Sequence, residues 1–331
     1  MGVNMFSKFK ILSCLIIILL FCSIVITGCS NSSKLSTQDN KIKISVIVKK
    51  KDASFYSVVR MGAEAAAKEF DVDISFDGPI SEKDIEGQIK LVEGSINNKY
   101  NAIVLAAGDY NKLSGVVDKA ASINIPVIII DSQLNSDQIK AFVGTDNMDA
   151  GTKLGQTLIN RIGPTCKIAV MNFIKGAASS DLREQGVFST IKKYAGVQVV
   201  ANLYCNSDES VAYQQVKKAI KENPGLDAVI CTNAQGTVGA ARAVEDMNMA
   251  GIIKIIGLDS TPEEVSFVEK GVIEALIIQN PFNMGYLGVK YAVDSVYNKS
   301  LPKSTNTGLT IIDKQNMYLP ENEKLVFPFT E

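Results

Sequence analysis

Short runs of aliphatic residues recur along this chain, each followed by a longer segment with helical periodicity, and that alternation restricts the fold more than any single motif. Residues 42–48, 72–76, 102–106 and 126–131 read as strands in the first half, and 167–172, 197–203, 227–231 and 253–258 in the second. Between them, residues 54–70, 112–122, 149–161, 182–194, 209–222 and 237–248 read as helices. Ser81-Glu82-Lys83-Asp84 reads as a capping box opening a further helix, in which Ile85, Ile89, Val92 and Ile96 recur at helical spacing. The strand runs are continuously apolar rather than alternating, as expected of parallel strands covered on both faces. The pattern predicts an α/β fold with parallel sheets and right-handed crossovers.

One internal echo sets the architecture. Asn101-Ala102-Ile103-Val104 leads through a helix to Ile129-Ile130-Asp131-Ser132, and Asp227-Ala228-Val229-Ile230 leads through a helix to Gly257-Leu258-Asp259-Ser260. Both units end in the same Asp-Ser pair, which predicts one doubly wound lobe present twice. Ligands of open parallel sheets gather beyond the carboxyl ends of the strands. Asp131 and Asp259 are therefore expected to face one cleft from two lobes. Either aspartate alone would as readily cap the following turn or helix; an equivalent pair at duplicated strand ends favours the cleft.

Composition removes whole classes of activity. Of 331 residues none is His, so Ser-His-Asp and Cys-His nucleophilic catalysis, His-ligated zinc and an imidazole switch are excluded. The nucleotide fingerprints G-x-x-x-x-G-K-[ST] and G-x-G-x-x-G are absent, and no cofactor or metal is expected. With 34 basic against 35 acidic side chains there is no electrostatic case for nucleic acid. Cys166, Cys205 and Cys231 match no metal or Cys-x-x-Cys spacing and read as buried thiols, although a disulfide among them is not excluded by sequence.

The N-terminus reads as an address. Lys8 and Lys10 precede an apolar run at 11–27, which ends in Ile26-Thr27-Gly28-Cys29 and turns polar at Ser30. That tetrapeptide resembles the lipobox of bacterial lipoproteins, which implies a signal peptide at 1–28, lipidation of Cys29 and a tether at 29–40. A plain uncleaved anchor is the alternative, but it has no need of Gly-Cys at its end. Both readings place the remainder outside the cytoplasmic membrane.

From about Lys41 onward the chain resembles the type I periplasmic binding proteins, in their ribose-type sugar-binding branch. The resemblance rests on Ser54-Phe55-Tyr56, Val127-Ile128-Ile129-Ile130-Asp131, Gly144-Thr145-Asp146-Asn147, Leu182-Arg183-Glu184-Gln185-Gly186, Thr232-Asn233-Ala234, Gly257-Leu258-Asp259-Ser260-Thr261-Pro262 and Ile278-Gln279. It implies two Rossmann-like lobes joined by a three-strand hinge, 41–145 with 280–307 and 146–279 with 308–331, closing on a small sugar. By that pattern Phe55 and Tyr56 stack on the sugar, while Asp131 and Asp259 accept from its hydroxyls. Arg183 lies in a loop-to-helix turn where the family places a ligand-contacting arginine, with a surface ion pair to Asp181 or Glu184 as the alternative. Asn233 and Gln279 offer amides to the ligand, or else to hinge backbone. The chain departs from ribose binders at Lys49-Lys50-Lys51, Ala53 and Ser132, where the family carries a small hydroxyl residue, an asparagine and an arginine. Lys49 is expected to supply the cation that Ser132 does not, with Lys50 and Lys51 in solvent. Ribose itself is thereby disfavoured relative to a similar pentose or small polyol.

The function implied is a non-enzymatic, lipid-anchored sugar receptor on the outer face of the cell membrane, feeding the permease of an ABC importer. A sensor that docks on a membrane histidine kinase or chemoreceptor would use the same residues. A sugar-responsive repressor is excluded because the N-terminus carries a signal rather than a helix-turn-helix.

Overall fold

The computed structural model describes residues 41–328, so the signal-like segment and Cys29 lie outside the described residues. Two six-stranded sheets share one strand order. The first contains β1 (Lys43–Ile47), β2 (Asp73–Asp77), β3 (Ala102–Leu105), β4 (Val127–Ile130), β5 (Ala141–Gly144) and β11 (Ser304–Asn306), in the order β11-β5-β4-β3-β1-β2. The second contains β6 (Thr165–Asn172), β7 (Gly196–Tyr204), β8 (Ala228–Cys231), β9 (Lys254–Leu258), β10 (Ile273–Ile278) and β12 (Thr310–Ile312), in the order β12-β10-β9-β8-β6-β7. All neighbours are parallel except β10 and β12, which are antiparallel.

Strand for strand the sheets correspond, so β4 and β9, which end in Asp131 and Asp259, occupy equivalent places. The duplication inferred from the echoed Asp-Ser pairs is thus present in the sheet order. The chain passes between the sheets three times: after β5, after β10, and between β11 and β12.

Continuous burial explains the apolar runs. Every residue of β3, β4, β5 and β8 is buried. Successive residues feed opposite cores, as the two-residue period of a strand requires. Val104, Ile128 and Ile130 join one cluster with helix α1 (Ser54–Glu69), whereas Ile103, Leu105, Val127 and Ile129 join another with α2 (Ile85–Asn97) and α3 (Ser114–Ser122). The second sheet does the same, with Val229 and Ile255 on one face and Ile230 and Ile256 on the other. Its helices are α4 (Asn147–Ile162), α5 (Ala178–Ile191), α6 (Glu209–Glu222), α7 (Ala234–Asp246), α8 (Pro262–Lys270) and α10 (Pro320–Val326), while α9 (Pro281–Val296) returns to pack on α1. Cys166, Cys205 and Cys231 are buried free thiols, and burial pushes the Cys205 thiol up to about 11.

Several element boundaries differ from the sequence reading, each for a local reason. Ser81 does not cap a helix: its hydroxyl accepts from Lys83 N, and α2 begins after Asp84, whose side chain accepts from Gly87 N. Helix α5 starts at Ala178 rather than 182: the small residues 177–180 are buried, and Ser179 meets Lys49 and Ser132 of the first sheet's lobe. Helix α7 starts at Ala234 behind an Asn233 cap.

Helices α1 and α9 meet through two glycines. A Cβ on Gly62 would lie 2.0 Å from the Phe282 carbonyl oxygen, and one on Gly285 would lie 1.9 Å from that of Val59. Backbone cannot yield as a side-chain tip can, so Gly62→Val is expected to lower stability by at least about 1–3 kcal/mol in chemical denaturation. Gly94, in α2, has nothing within 4 Å of its Cβ position. Gly94→Ala should raise stability by about 0.5–1 kcal/mol. Equal effects of the two substitutions would contradict this packing.

Candidate functional site

The carboxyl ends of both sheets converge on one cavity. It is lined by Lys49, Phe55, Tyr56, Glu82, Asp131, Phe173, Ser179, Arg183, Asn233, Gln235, Asp259 and Gln279, with Ala53 and Ala234, and opens to solvent. All eight residues singled out from sequence are among them, although they are spread over 231 positions of chain from Lys49 to Gln279.

The two aspartates share a backbone conformation as well as a place. Asp131 has φ 60° and Asp259 has φ 85°, in the left-handed region that costs an L residue roughly 1–2 kcal/mol. Neither caps the following helix, since Asp146 caps α4 and Thr261 caps α8. The left-handed residue turns the chain sharply at the strand end and presents the carboxylate beyond the sheet.

Around Asp131 the partners are charged. Lys49 Nζ lies 2.7 Å from Asp131 Oδ2 and donates to Ser179 Oγ at 3.0 Å, while the Tyr56 hydroxyl donates to the same Oδ2 at 3.0 Å. Lys49 is only 3% exposed, so the first of the three consecutive lysines is a buried ion-pair partner; Lys51 is exposed and pairs with Asp77. Tyr56 is therefore a buried hydrogen-bond donor, and Phe55 packs edge-on against it with ring centroids 5.2 Å apart. Burial and the neighbouring Asp131 charge hold the Tyr56 phenol well above its ordinary range.

Around Asp259 the partners are amides. Gln279 Nε2 donates to Asp259 Oδ1 at 2.7 Å, and Gln279 Oε1 accepts from Arg183 Nη2 at 3.0 Å. Arg183 also donates to the Thr232 carbonyl at 3.0 Å and, through Nε, to Asn147 Oδ1 at 2.8 Å. Its guanidinium stands 5.6 Å from the Phe173 ring centroid. Arg183 thus lies inside α5 rather than in a loop-to-helix turn. The alternative ion pairs do not form: Asp181 accepts from Gly176 N, and Glu184 accepts from Tyr204 and Asn202. Asn233 is the N-cap of α7, its Oδ1 accepting from Gly236 N at 3.0 Å, while its side chain also borders the cavity.

Besides Ala53 and Ala234, four lining residues were not singled out from sequence as site residues. Phe173 follows β6 much as Lys49 follows β1, so the duplication offered a signal for it. Glu82 stood inside an apparent capping box, and Ser179 and Gln235 carried no distinguishing pattern. Among the described residues no group of His, Cys, Asp or Glu is placed to hold a metal ion.

Burial raises the Asp259 carboxyl to about 6, against the lowering effect of Arg183 and Gln279 and with some help from the Asp131 charge. A free aspartate titrates near 3.9, so the folded protein keeps this proton to a higher pH than the unfolded chain. The ionised group therefore costs stability above pH 6, and that cost is relieved as pH falls from 6 to 4. Asp259→Asn, which tolerates the left-handed backbone, should stabilise the ligand-free protein at pH 7.5 by up to about 3 kcal/mol. The gain should vanish by pH 4 in thermal melts; a gain that persists there would reject the burial argument.

Comparison with known proteins places this geometry. Residues 44–300 match the family model described as periplasmic binding protein domain. The D-allose-binding periplasmic protein of Escherichia coli K12 is 28% identical over 258 residues, covering 76% of this chain and 83% of that one. Among solved structures, an ABC transporter solute-binding protein of Agrobacterium vitis with bound D-fucose is 33% identical with a TM-score of 0.84, covering 86% of this chain and 99% of its own. A carbohydrate transporter solute-binding protein of Agrobacterium radiobacter in complex with D-arabinose is 29% identical with a TM-score of 0.84, covering 87% and 99%. With two parallel-sheet lobes around a shared cavity and a family match over most of its length, the chain belongs to the periplasmic binding proteins of type I fold, in the ribose-type branch of non-enzymatic sugar-binding receptors that serve ABC transporters.

Proposed function

We propose that this protein is a lipid-anchored extracytoplasmic receptor that binds a small neutral sugar, such as a pentose or similar polyol, between its lobes and delivers it to the permease of an ABC importer. The lobes are taken as 41–145 with 280–307 and 146–279 with 308–331, and the ligand contacts as Lys49, Phe55, Tyr56, Asp131, Arg183, Asn233, Asp259 and Gln279. The observation that carries the reading is the pair of left-handed aspartates at equivalent strand ends, both lining one cavity. Charge narrows the ligand class. Lys49 is committed to Asp131, and each guanidinium nitrogen of Arg183 already donates to an acceptor within the protein. The two cations lining the cavity thus stand among three carboxylates, Asp131, Glu82 and Asp259, which favours a neutral polyol over a sugar acid or sugar phosphate.

Calorimetric titration with D-ribose, D-xylose, D-arabinose, D-allose and D-fucose tests this, with D-glucuronate and D-ribose 5-phosphate as anionic controls. At least one neutral sugar should bind and neither control should. Asp131→Asn and Asp259→Asn should each weaken that sugar roughly tenfold or more, because a buried hydroxyl loses a charge-assisted acceptor. Phe55→Ala should weaken it through lost contact with the ring face, and Lys51→Ala should leave it unchanged. Preferential binding of an anion would reject the reading.

The anchor rests on Ile26-Thr27-Gly28-Cys29. No helix among the described residues is long and apolar enough to cross a membrane, so attachment depends on the segment before residue 41. Mass spectrometry of the native membrane fraction should find a mature N-terminus at a diacylated Cys29; a chain retaining Met1 would contradict it.

A further inference from the structure

Among the described residues, three side-chain hydrogen bonds join the lobes across the cavity, besides the hinge-side bond from Asn147 Nδ2 to the Asp131 carbonyl and a main-chain bond from Tyr110 N to the Gly176 carbonyl. Two meet at Ser179, whose hydroxyl accepts from Lys49 and whose backbone N donates to Ser132 Oγ at 3.2 Å. The third lies apart from these: Ser207 Oγ donates to Glu82 Oε2 at 2.9 Å, joining the turn before α2 to the turn after β7. Asn233 Nδ2, at 3.5 Å, donates weakly to the same Ser207 hydroxyl. A polar chain therefore runs from Asn233 through Ser207 to Glu82, from one lobe to the other.

The turn that presents Ser207 is built against backbone preference. Asn206 and Ser207 have φ 57° and 54°, two consecutive non-glycine residues in the left-handed region, and Ser207 is 7% exposed. Such strain persists only where surrounding contacts over-determine it, and it concentrates at ligand clamps and switch regions. The carboxylate that Ser207 meets is unusual for the cavity. Among the described residues Glu82 forms no ion pair and no side-chain hydrogen bond other than that from Ser207, because the nearby Lys49 is held by Asp131 and Ser179. Burial raises its carboxyl above the ordinary range, with Lys49 and Ser207 opposing. An ionised carboxylate has about four acceptor positions, and Ser207 fills one.

Resting on the sugar reading of this cavity, we propose that Glu82 is a specificity-determining residue and the latch of the closed cleft, one oxygen held by Ser207 of the opposite lobe and the other accepting a ligand hydroxyl. The two roles reinforce each other. Glu82 can bridge sugar and Ser207 together only when the lobes are closed, so a ligand with a hydroxyl at this end gains contact in the closed state alone. Differential contact of that kind is what shifts a population toward closure. The sugar is then read by three carboxylates, Asp259, Asp131 and Glu82, and an analogue lacking the hydroxyl at the Glu82 end leaves a half-buried acceptor unfilled.

The test uses the full mature chain, the tightest-binding sugar of the five neutral sugars above, and its singly deoxygenated analogues. Glu82→Gln keeps size and an acceptor for Ser207 but removes the charge; Ser207→Ala removes the latch alone. Wild type should bind one deoxy analogue markedly more weakly than the parent. Glu82→Gln should lose at least tenfold toward the parent and bind that analogue and the parent about equally. Ser207→Ala should weaken all ligands alike, by about threefold to tenfold, through faster release in stopped-flow tyrosine fluorescence. Circular dichroism of the ligand-free variants should match wild type, and Glu82→Gln should melt no lower than wild type, since burial already raises its carboxyl. Wild-type affinity in both Glu82→Gln and Glu82→Ala, or a uniform loss over every analogue in Glu82→Gln, would overturn the specificity role. Unchanged release in Ser207→Ala would overturn the latch. A wild-type protein that binds none of the sugars would instead overturn the sugar reading.

Discussion

The buried guanidinium of Arg183 organises the site. It is 3% exposed and has no carboxylate partner within ion-pair distance among the described residues, so its desolvation is offset by three neutral acceptors and the face of Phe173. Arginine suits this position because it is weakly hydrated and its donors are fixed in one plane. Two of its acceptors are amides near crossings between the lobes, and each amide passes the constraint on. Asn147 Nδ2 donates to the main-chain carbonyl of Asp131 at 3.2 Å, and Gln279 Nε2 donates to the carboxylate of Asp259 at 2.7 Å. One charge in the second lobe thereby positions both aspartates, one through its backbone and the other through its side chain.

Duplication supplied the scaffold, and divergence made the two halves chemically unlike. Both aspartates follow the fourth strand of their sheet in the same left-handed turn, yet Asp131 is held by an ammonium and a phenol while Asp259 is held by an amide. The difference follows from what stands after the first strand of each sheet. In the first lobe that residue is Lys49, whose charge is neutralised by Asp131; in the second it is Phe173, which carries no charge and faces Arg183. At Asp259 burial outweighs the lowering effect of its neighbours and raises the carboxyl to about 6. A neutral polyol suits such a cavity because its hydroxyls both donate and accept, so it can satisfy carboxylates on one side and amides on the other.

Cavity-lining residues divide by how their position arises. Those at strand ends, Lys49, Asp131, Asn233, Asp259 and Gln279, could be named from sequence, because a parallel sheet places every strand end on one edge. Glu82, Ser179 and Gln235 reach the cavity from turns and helix starts, whose direction depends on how one lobe lies against the other. The role of Tyr56 also depended on that geometry, since nothing local distinguishes a stacking ring from one whose hydroxyl meets a carboxylate 75 positions away.

The sequence by itself determined the α/β class, the duplication, the strand-end aspartates and the absence of histidine chemistry. These follow from hydrophobic periodicity and residue inventory, which are local properties of the chain. Tertiary structure decided which charges are spent on one another. Lys49 could have been a solvated lysine or a ligand cation until Asp131 was found 2.7 Å away, and Arg183 a surface ion pair until α5 was seen to bury it. Hydrogen bonds and ion pairs depend on separations of a few ångströms between residues far apart in sequence. Those separations are fixed only once both lobes have packed and met.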